Sequence, residues 1–545
     1  METDIDQATI QVANIDLVAD TNKVTMMALT NPLILDQIFR SLDPISLRSV
    51  RLVCRLWADV GASFLGKQGH LIFLSSSDYY CTSPYFTMPR ELASFNPKLA
   101  KNVTLYINYN CNINCKCAPN TTNLPSTFAT VLPSICEKLE TLRFLSGRAF
   151  EPRLHEMWTT YDFPNLTHIT IIATNKEFNQ HDGDMAFPNI QQFRPLGNLK
   201  VLCLTNFLLG ERNPSESDWS SACQGLLNAA PNLEEFTLNS VFYPDLSPCP
   251  KLKEFNFQYK ECRDYVTKEI IKLDISEMNR MMERCPNSLE KLTLNLNPNE
   301  DAIEPTEKLN FRFPNLTYLK LDTADIFKIQ DSLNVTNLPK LTHFSINTCN
   351  YLDLSKMMAN YYMHHTGITS LNVVCAYCAE VGNQDRHAAA KLVTLFPAVK
   401  EYSLELQIDL AGDDVAFLSL RAMMQSFGGW ELTRGQVNIQ YKWIPLSLAA
   451  LNLHNESDTE VVIAVMEGMS DWRALPNTTL QFVGNHGEPY LHLTDRMRDA
   501  LLSCRTIKSV TISEFGIDED TWEDMNAFIE DNNLPVSIPN IDGFW

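Results

Sequence analysis

Phe313-Pro-Asn-Leu-Thr-Tyr-Leu-Lys-Leu321 is the clearest copy of a phrase that this 545-residue chain repeats. Leu319 and Leu321 are two apart. On a strand both would point to one face, while Lys320 between them would point to the other. A single strand cannot bury such a face. Stacked copies make a continuous core, so the phrase predicts a repeat architecture. Further copies begin at Pro164, Gly197, Pro231, Pro250, Ser288 and Pro339, with weaker ones at Lys138, Gly367 and Ala398. Their first anchors are Leu139, Leu166, Leu199, Leu233, Leu252, Leu289, Leu316, Leu341, Ile368 and Val399, spaced 19 to 37 residues apart. Helical patterns fill some gaps, as at Ser221–Ala230 and Glu277–Cys285. The expected fold class is α/β: a stack of parallel strands with helices or irregular segments outside, over residues 71–410. Leu448-Ala-Ala-Leu-Asn-Leu, Asn477-Thr-Thr-Leu-Gln-Phe and Ile507-Lys-Ser-Val-Thr-Ile read as degenerate copies within residues 411–513. Residues 411–443 carry no copy that the pattern can place. After Lys508 the chain holds nine acidic residues and no Lys or Arg. Trp522, Phe528 and Trp545 interrupt it, so residues 514–545 read as a terminal cap or docked tail.

Upstream, Leu29–Val60 has a different period. Ile34, Leu35, Ile38, Phe39 and Leu42 form the stripe of an amphipathic helix. Asp43-Pro44 ends it, because the residue before proline is pushed out of the α region. Ser46 is the expected cap of a second helix, whose apolar face would run Leu47, Val50, Val53, Cys54 and Trp57. Two short helices leave more apolar surface than they can bury alone, so they need a partner.

The segment resembles an F-box, on Pro32, Ile34, Leu35, Ile38, Phe39, Leu42, Leu47 and the run Val53-Cys54-Arg55 with Trp57. Asn31-Pro32 sets the proline one position late, and Leu33 stands where an acidic residue is expected. The resemblance places an F-box at residues 29–70. It implies that Pro32, Ile34, Leu35, Ile38, Phe39, Leu42, Leu47, Val53 and Trp57 bind the adaptor subunit and, through it, the cullin scaffold of an SCF-type ubiquitin ligase. The strand phrases in turn resemble the leucine-rich repeats of F-box/LRR proteins. Together they imply a non-catalytic substrate receptor. The alternative is a ligase-independent repeat scaffold, with the helices as a mere cap.

In such a solenoid, outward strand residues line the concave face that takes a protein substrate. Here these are Glu235, Thr237, Asn239, Glu254, Asn256, Gln258 and Lys291. Tyr318, Lys320, Asp322, His343, Asn347, Glu401 and Glu405 continue the set. Their mixed charge and lack of an aromatic row suit protein recognition.

The formal charge of −21 argues against a nucleic-acid partner. No apolar run reaches membrane-spanning length, and residues 1–28 are acidic and without a basic signal-peptide start. Fifteen cysteines without regular spacing read as reduced thiols of a cytoplasmic or nuclear protein. Cys111, Cys115 and Cys117 form one metal-like cluster. Cys375 and Cys378, with His364, His365 and His387, form another. Neither has the paired-ligand spacing of structural zinc, so no cofactor is expected. No phosphate-cradling, nucleophile-elbow or zincin motif occurs, which leaves catalysis without a candidate.

Overall fold

The computed structural model describes residues 25–74, 96–107, 126–146, 157–173, 193–205, 216–259, 273–296, 308–322, 331–348, 353–358, 361–378, 382–409, 414–441, 457–473, 475–484 and 491–539. The chain divides into two compact units, Met1–Thr237 and Leu238–Trp545.

The first unit opens with three helices: α1 (Pro32–Arg40), α2 (Pro44–Val50) and α3 (Arg55–Gln68). Asn31 caps α1, its side chain accepting from the Leu33 amide at 2.9 Å, with Pro32 in the first turn. Asp43, rather than Ser46, caps α2. Its carboxylate accepts from the amides of Ile45 and Ser46 at 2.8 and 3.0 Å and from the Ser46 hydroxyl at 2.7 Å. That hydroxyl bond leads the contacts holding the Asp43 carboxyl below its usual range. The predicted second helix is split. Leu52 and Val53 close three-residue turn bonds to Ser49 and Val50, and Cys54 is extended at φ −160°. Val53 therefore lies outside any helix, and Trp57 belongs to α3.

Strands β1 (Leu71–Leu74), β2 (Asn102–Ile107), β3 (Thr141–Ser146), β4 (His168–Ala173) and β5 (Val201–Thr205) pair in chain order, all parallel. Helix α4 (Ser126–Ile135) lies between β2 and β3 in the chain, and α5 (Glu216–Ala229) follows β5. The strand β6 (Glu235–Ser240) runs across the unit boundary.

In the second unit the strands are β7 (Glu254–Tyr259), β8 (Lys291–Asn295), β9 (Tyr318–Asp322), β10 (His343–Asn347), β11 (Ser370–Cys378), β12 (Glu401–Asp409), β13 (Arg434–Tyr441), β14 (Thr478–Val483), β15 (Ser509–Ser513) and β16 (Val536–Ser537). They too pair in chain order and in parallel. The helices between them are α6 (Ile275–Glu283), α7 (Leu354–Met358), α8 (Gly382–Leu395), α9 (Asp414–Phe427), α10 (Ser457–Met469), α11 (Asp495–Ser503) and α12 (Glu519–Asp531).

The phrase behaves as its spacing dictates. In β7 and β8 buried residues alternate with more accessible, mostly half-buried ones, and Leu316, Leu319 and Leu321 are all fully buried. The Asn of the phrase ties each turn to the one before. Asn165 Nδ2 donates to the Glu137 carbonyl at 2.6 Å, and Asn232 to Gly197 at 2.6 Å. In the second unit Asn315 donates to Asn287 at 2.8 Å and Asn477 to Thr433 at 3.1 Å. Each bond satisfies a carbonyl of the preceding turn.

Within residues 411–443, the described residues 414–441 are one more repeat, α9 followed by β13. The phrase at Asn477 forms β14 and that at Ile507 forms β15, whereas Leu448–Leu453 lie outside the described residues. The described part of the acidic end, residues 514–539, is folded, and Trp545 lies outside the described residues. Asp518 caps α12 through the Thr521 amide at 2.8 Å, and β16 pairs with β15. No helix of the described residues is long and apolar enough to cross a membrane.

Candidate functional site

Within α1–α3, Leu35, Phe39 and Leu47 are fully buried, with Leu42, Val50, Leu56, Trp57, Val60, Phe64 and Leu65 packed around them. Trp57 stands edge-on to Phe39 with ring centroids 5.5 Å apart, and its indole N–H donates to the Leu29 carbonyl at 2.8 Å. Leu35, Phe39, Leu42, Leu47 and Trp57 thus build the module's own core. They hold the rest in place.

The other predicted residues face outward. Ile34 and Ile38 are each 39% exposed and Val53 is 62% exposed, and Pro32 is exposed too. Met26, Met27, Leu33, Ile45 and Leu52 join them. Eight of the twelve large apolar side chains exposed among the described residues therefore fall between residues 26 and 53. Such a concentration marks a surface that awaits a partner. The sequence stripe pointed to Ile34 and Ile38 but could not separate them from Leu35 and Phe39. Ile45 and Leu52 it missed, since both stand outside the period. Arg48 and Arg55 are exposed, while Arg51 is half-buried, its Nε donating to the Ala58 carbonyl.

The strand residues expected to meet a substrate divide between the units. Glu235, exposed, is in the first unit. In the second, Glu254, Lys291, Tyr318, His343 and Glu401 occupy a single register level of β7–β10 and β12. Lys291 and Glu254 pair at 3.1 Å. Lys320 lies one level further along and reaches Asp322 at 3.5 Å. Asn239 is only 7% exposed, donating to Gln258 at 3.0 Å.

The second metal-like group falls apart. Cys375 and Cys378 are both on β11. Cys375 is fully buried, and burial pushes its thiol well above the usual range. His365 is also fully buried: its Nδ1 receives the Gly367 amide at 3.2 Å and its Nε2 meets the Leu338 carbonyl at 3.1 Å. Burial also lowers its pKa. His364 and His387 are exposed. No group of three or more metal-ligating side chains occurs among the described residues, and Cys111, Cys115 and Cys117 lie outside them.

A comparison with curated proteins finds no match for the chain. The family model for the F-box domain matches residues 31–65, a span running from the cap of α1 to the last turn of α3. The three-helix module with the outward apolar surface is an F-box domain.

Proposed function

We propose that the chain is the substrate-recognition subunit of an SCF-type cullin–RING ubiquitin ligase. The F-box would bind the adaptor subunit, and the leucine-rich repeats would hold a protein substrate. The exposed apolar surface around Ile34, Ile38 and Val53, on a helical core closed beneath it, carries this reading. Apolar burial contributes about 25 cal/mol per Å², so a face of this kind favours a stable complex. The chain itself performs no chemistry in this scheme. It raises the substrate's effective concentration at the ligase, which makes ubiquitin transfer an intramolecular step.

The test is co-purification of the adaptor with full-length chain carrying Ile34→Asp and Ile38→Asp. Both side chains are outward, so the fold should keep its melting temperature. The adaptor yield should drop at least about tenfold, since two charges would have to be buried unpaired. An adaptor yield equal to wild type from a folded double variant would overturn the proposal.

A further inference from the structure

On β7–β10, Gln258, Asn295, Asp322 and Asn347 lie opposite one another in register. Asn239 of β6 joins them through its bond to Gln258. The same level continues on β11–β14 as Val374, Glu405, Asn438 and Gln481. All are on the sheet face that carries the polar residues, opposite the leucines. With strands ~4.8 Å apart, the row from β7 to β14 is about 34 Å long. It contains five carboxamides, two carboxylates, one valine and no base.

Three of its side-chain oxygens, Oδ1 of Asn295, Asp322 and Asn438, are shielded yet accept no hydrogen bond, and so is Oδ1 of the adjoining Asn239. Asn239 and Asp322 are each 7% exposed. Lys320 reaches only the other oxygen of Asp322, Oδ2, at 3.5 Å. Shielded acceptors without donors are unfavourable, and folded proteins keep few of them. Three on one register level, with Asn239 bonded to its end and the Glu405 carboxylate among them, make a line that calls for donors and positive charge.

We propose that this row is the docking track for a cationic, extended polypeptide segment of a partner protein. Its Lys or Arg side chains would pair with the carboxylates of Asp322 and Glu405, and its N–H groups would meet the carboxamide oxygens as those side chains turn toward it. The proposal rests on the receptor reading above and names the substrate class. At ~3.4 Å per residue, about ten residues of extended chain cover the track. A nucleic acid or a phosphopeptide would set its own acceptors against these and be repelled.

The test is fluorescence anisotropy of full-length chain with labelled peptides of roughly twelve residues, long enough to cover the track. One peptide is built from Lys, Arg, Ser and Thr, and its counterpart has Glu and Asp in place of the bases. Wild type should prefer the cationic peptide by at least about tenfold. Asp322→Asn with Glu405→Gln, which keeps both side-chain shapes, should remove most of that preference. Glu523→Gln with Asp524→Gln, on the exposed acidic face of α12, removes the same charge elsewhere and should leave it intact. Equal binding of the two peptides, an unchanged Asp322/Glu405 variant, or an equal loss in the α12 variant would each overturn the track. Ubiquitylated partners under proteasome inhibition separate the two readings. If they persist unchanged with the Asp322/Glu405 variant, the track is wrong and the receptor reading stands. If wild type accumulates none beyond the Ile34/Ile38 variant, the receptor reading itself fails.

Discussion

Asp385 of α8 is fully buried, with one oxygen accepting from the Ser355 amide at 2.8 Å and the other accepting nothing. Asp353 sits on the far side of Ser355. It accepts from the Ser355 hydroxyl at 2.6 Å and the Lys356 amide at 2.7 Å, with Lys356 Nζ 3.2 Å away. Burial opposes ionisation of both, yet these donors hold Asp353 below the usual carboxylate range. Asp385 has fewer donors. Burial, outweighing the Ser355 bond and joined by the charge of Asp353, pushes it up to about 7. The folded state then keeps a proton that the unfolded chain releases above the ordinary value of 3.8. Stability from this group is full below pH 4, falls as pH rises through the interval to about 7, and is flat beyond. Each pKa unit of difference is worth about 1.4 kcal/mol. Asp385→Asn, which can still accept from Ser355, should stabilise the protein at pH 8 and make the slope between pH 5 and 7 shallower. Urea titrations of both proteins at pH 5 and pH 8 measure this, and equal pH slopes would refute it.

At the scale of the element, β13 has the same place in the stack as its neighbours but a disguised phrase. Leu432, Val437 and Ile439 are buried as anchors should be, while Gly435 stands where the middle leucine is expected. Its register partners explain the exchange. Tyr402 lies opposite it on β12, with its ring 4.9 Å from both Phe427 and Trp430. On the other side, Thr478 Oγ1 would be 2.6 Å from a Cβ at Gly435. The Thr478 side chain fills the space that a leucine occupies in other repeats. Restoring the phrase with Gly435→Leu should therefore destabilise the protein, by about 1–3 kcal/mol as overpacking typically does. A denaturation midpoint at or above wild type would show that Thr478 leaves room. Where anchors were aliphatic, as in Leu316-Thr-Tyr-Leu319-Lys-Leu321, the strands and the inward residues were legible in sequence. Where packing moved volume to another residue, as at Gly435, period alone could not find the repeat. The F-box stripe was legible for the same reason as the leucines. Its break at Leu52–Cys54 was not, because exposed apolar residues imitate a continuing face.

At the scale of the molecule, an adaptor-binding module serves a receptor best when it is fixed to the body that follows, because the reach to a bound substrate is then constant. The first unit has such a junction. Asn102, at the start of β2, donates from Nδ2 to the carbonyls of Gly66 at 3.2 Å, Lys67 at 2.8 Å and Gly69 at 3.4 Å. One side chain thereby serves the last turn of α3, whose carbonyls have no partner within the helix. Lys98 and Asp59 add an ion pair at 2.6 Å, although half-exposed pairs of this kind contribute little. Gly66 lets the backbone at Lys98 and Leu99 pass against the helix where any Cβ would collide. Asn102→Ala should cost about 1–3 kcal/mol, the usual penalty for leaving shielded carbonyls unpaired. That loss should fall on the junction, while α1, which is not hydrogen-bonded to Asn102, keeps its outward apolar surface. Hydrogen exchange should accelerate in the last turn of α3 and in β1–β2, with α1 unchanged and the adaptor still retained. If exchange in those segments matches wild type, the two parts are held together by something other than this contact.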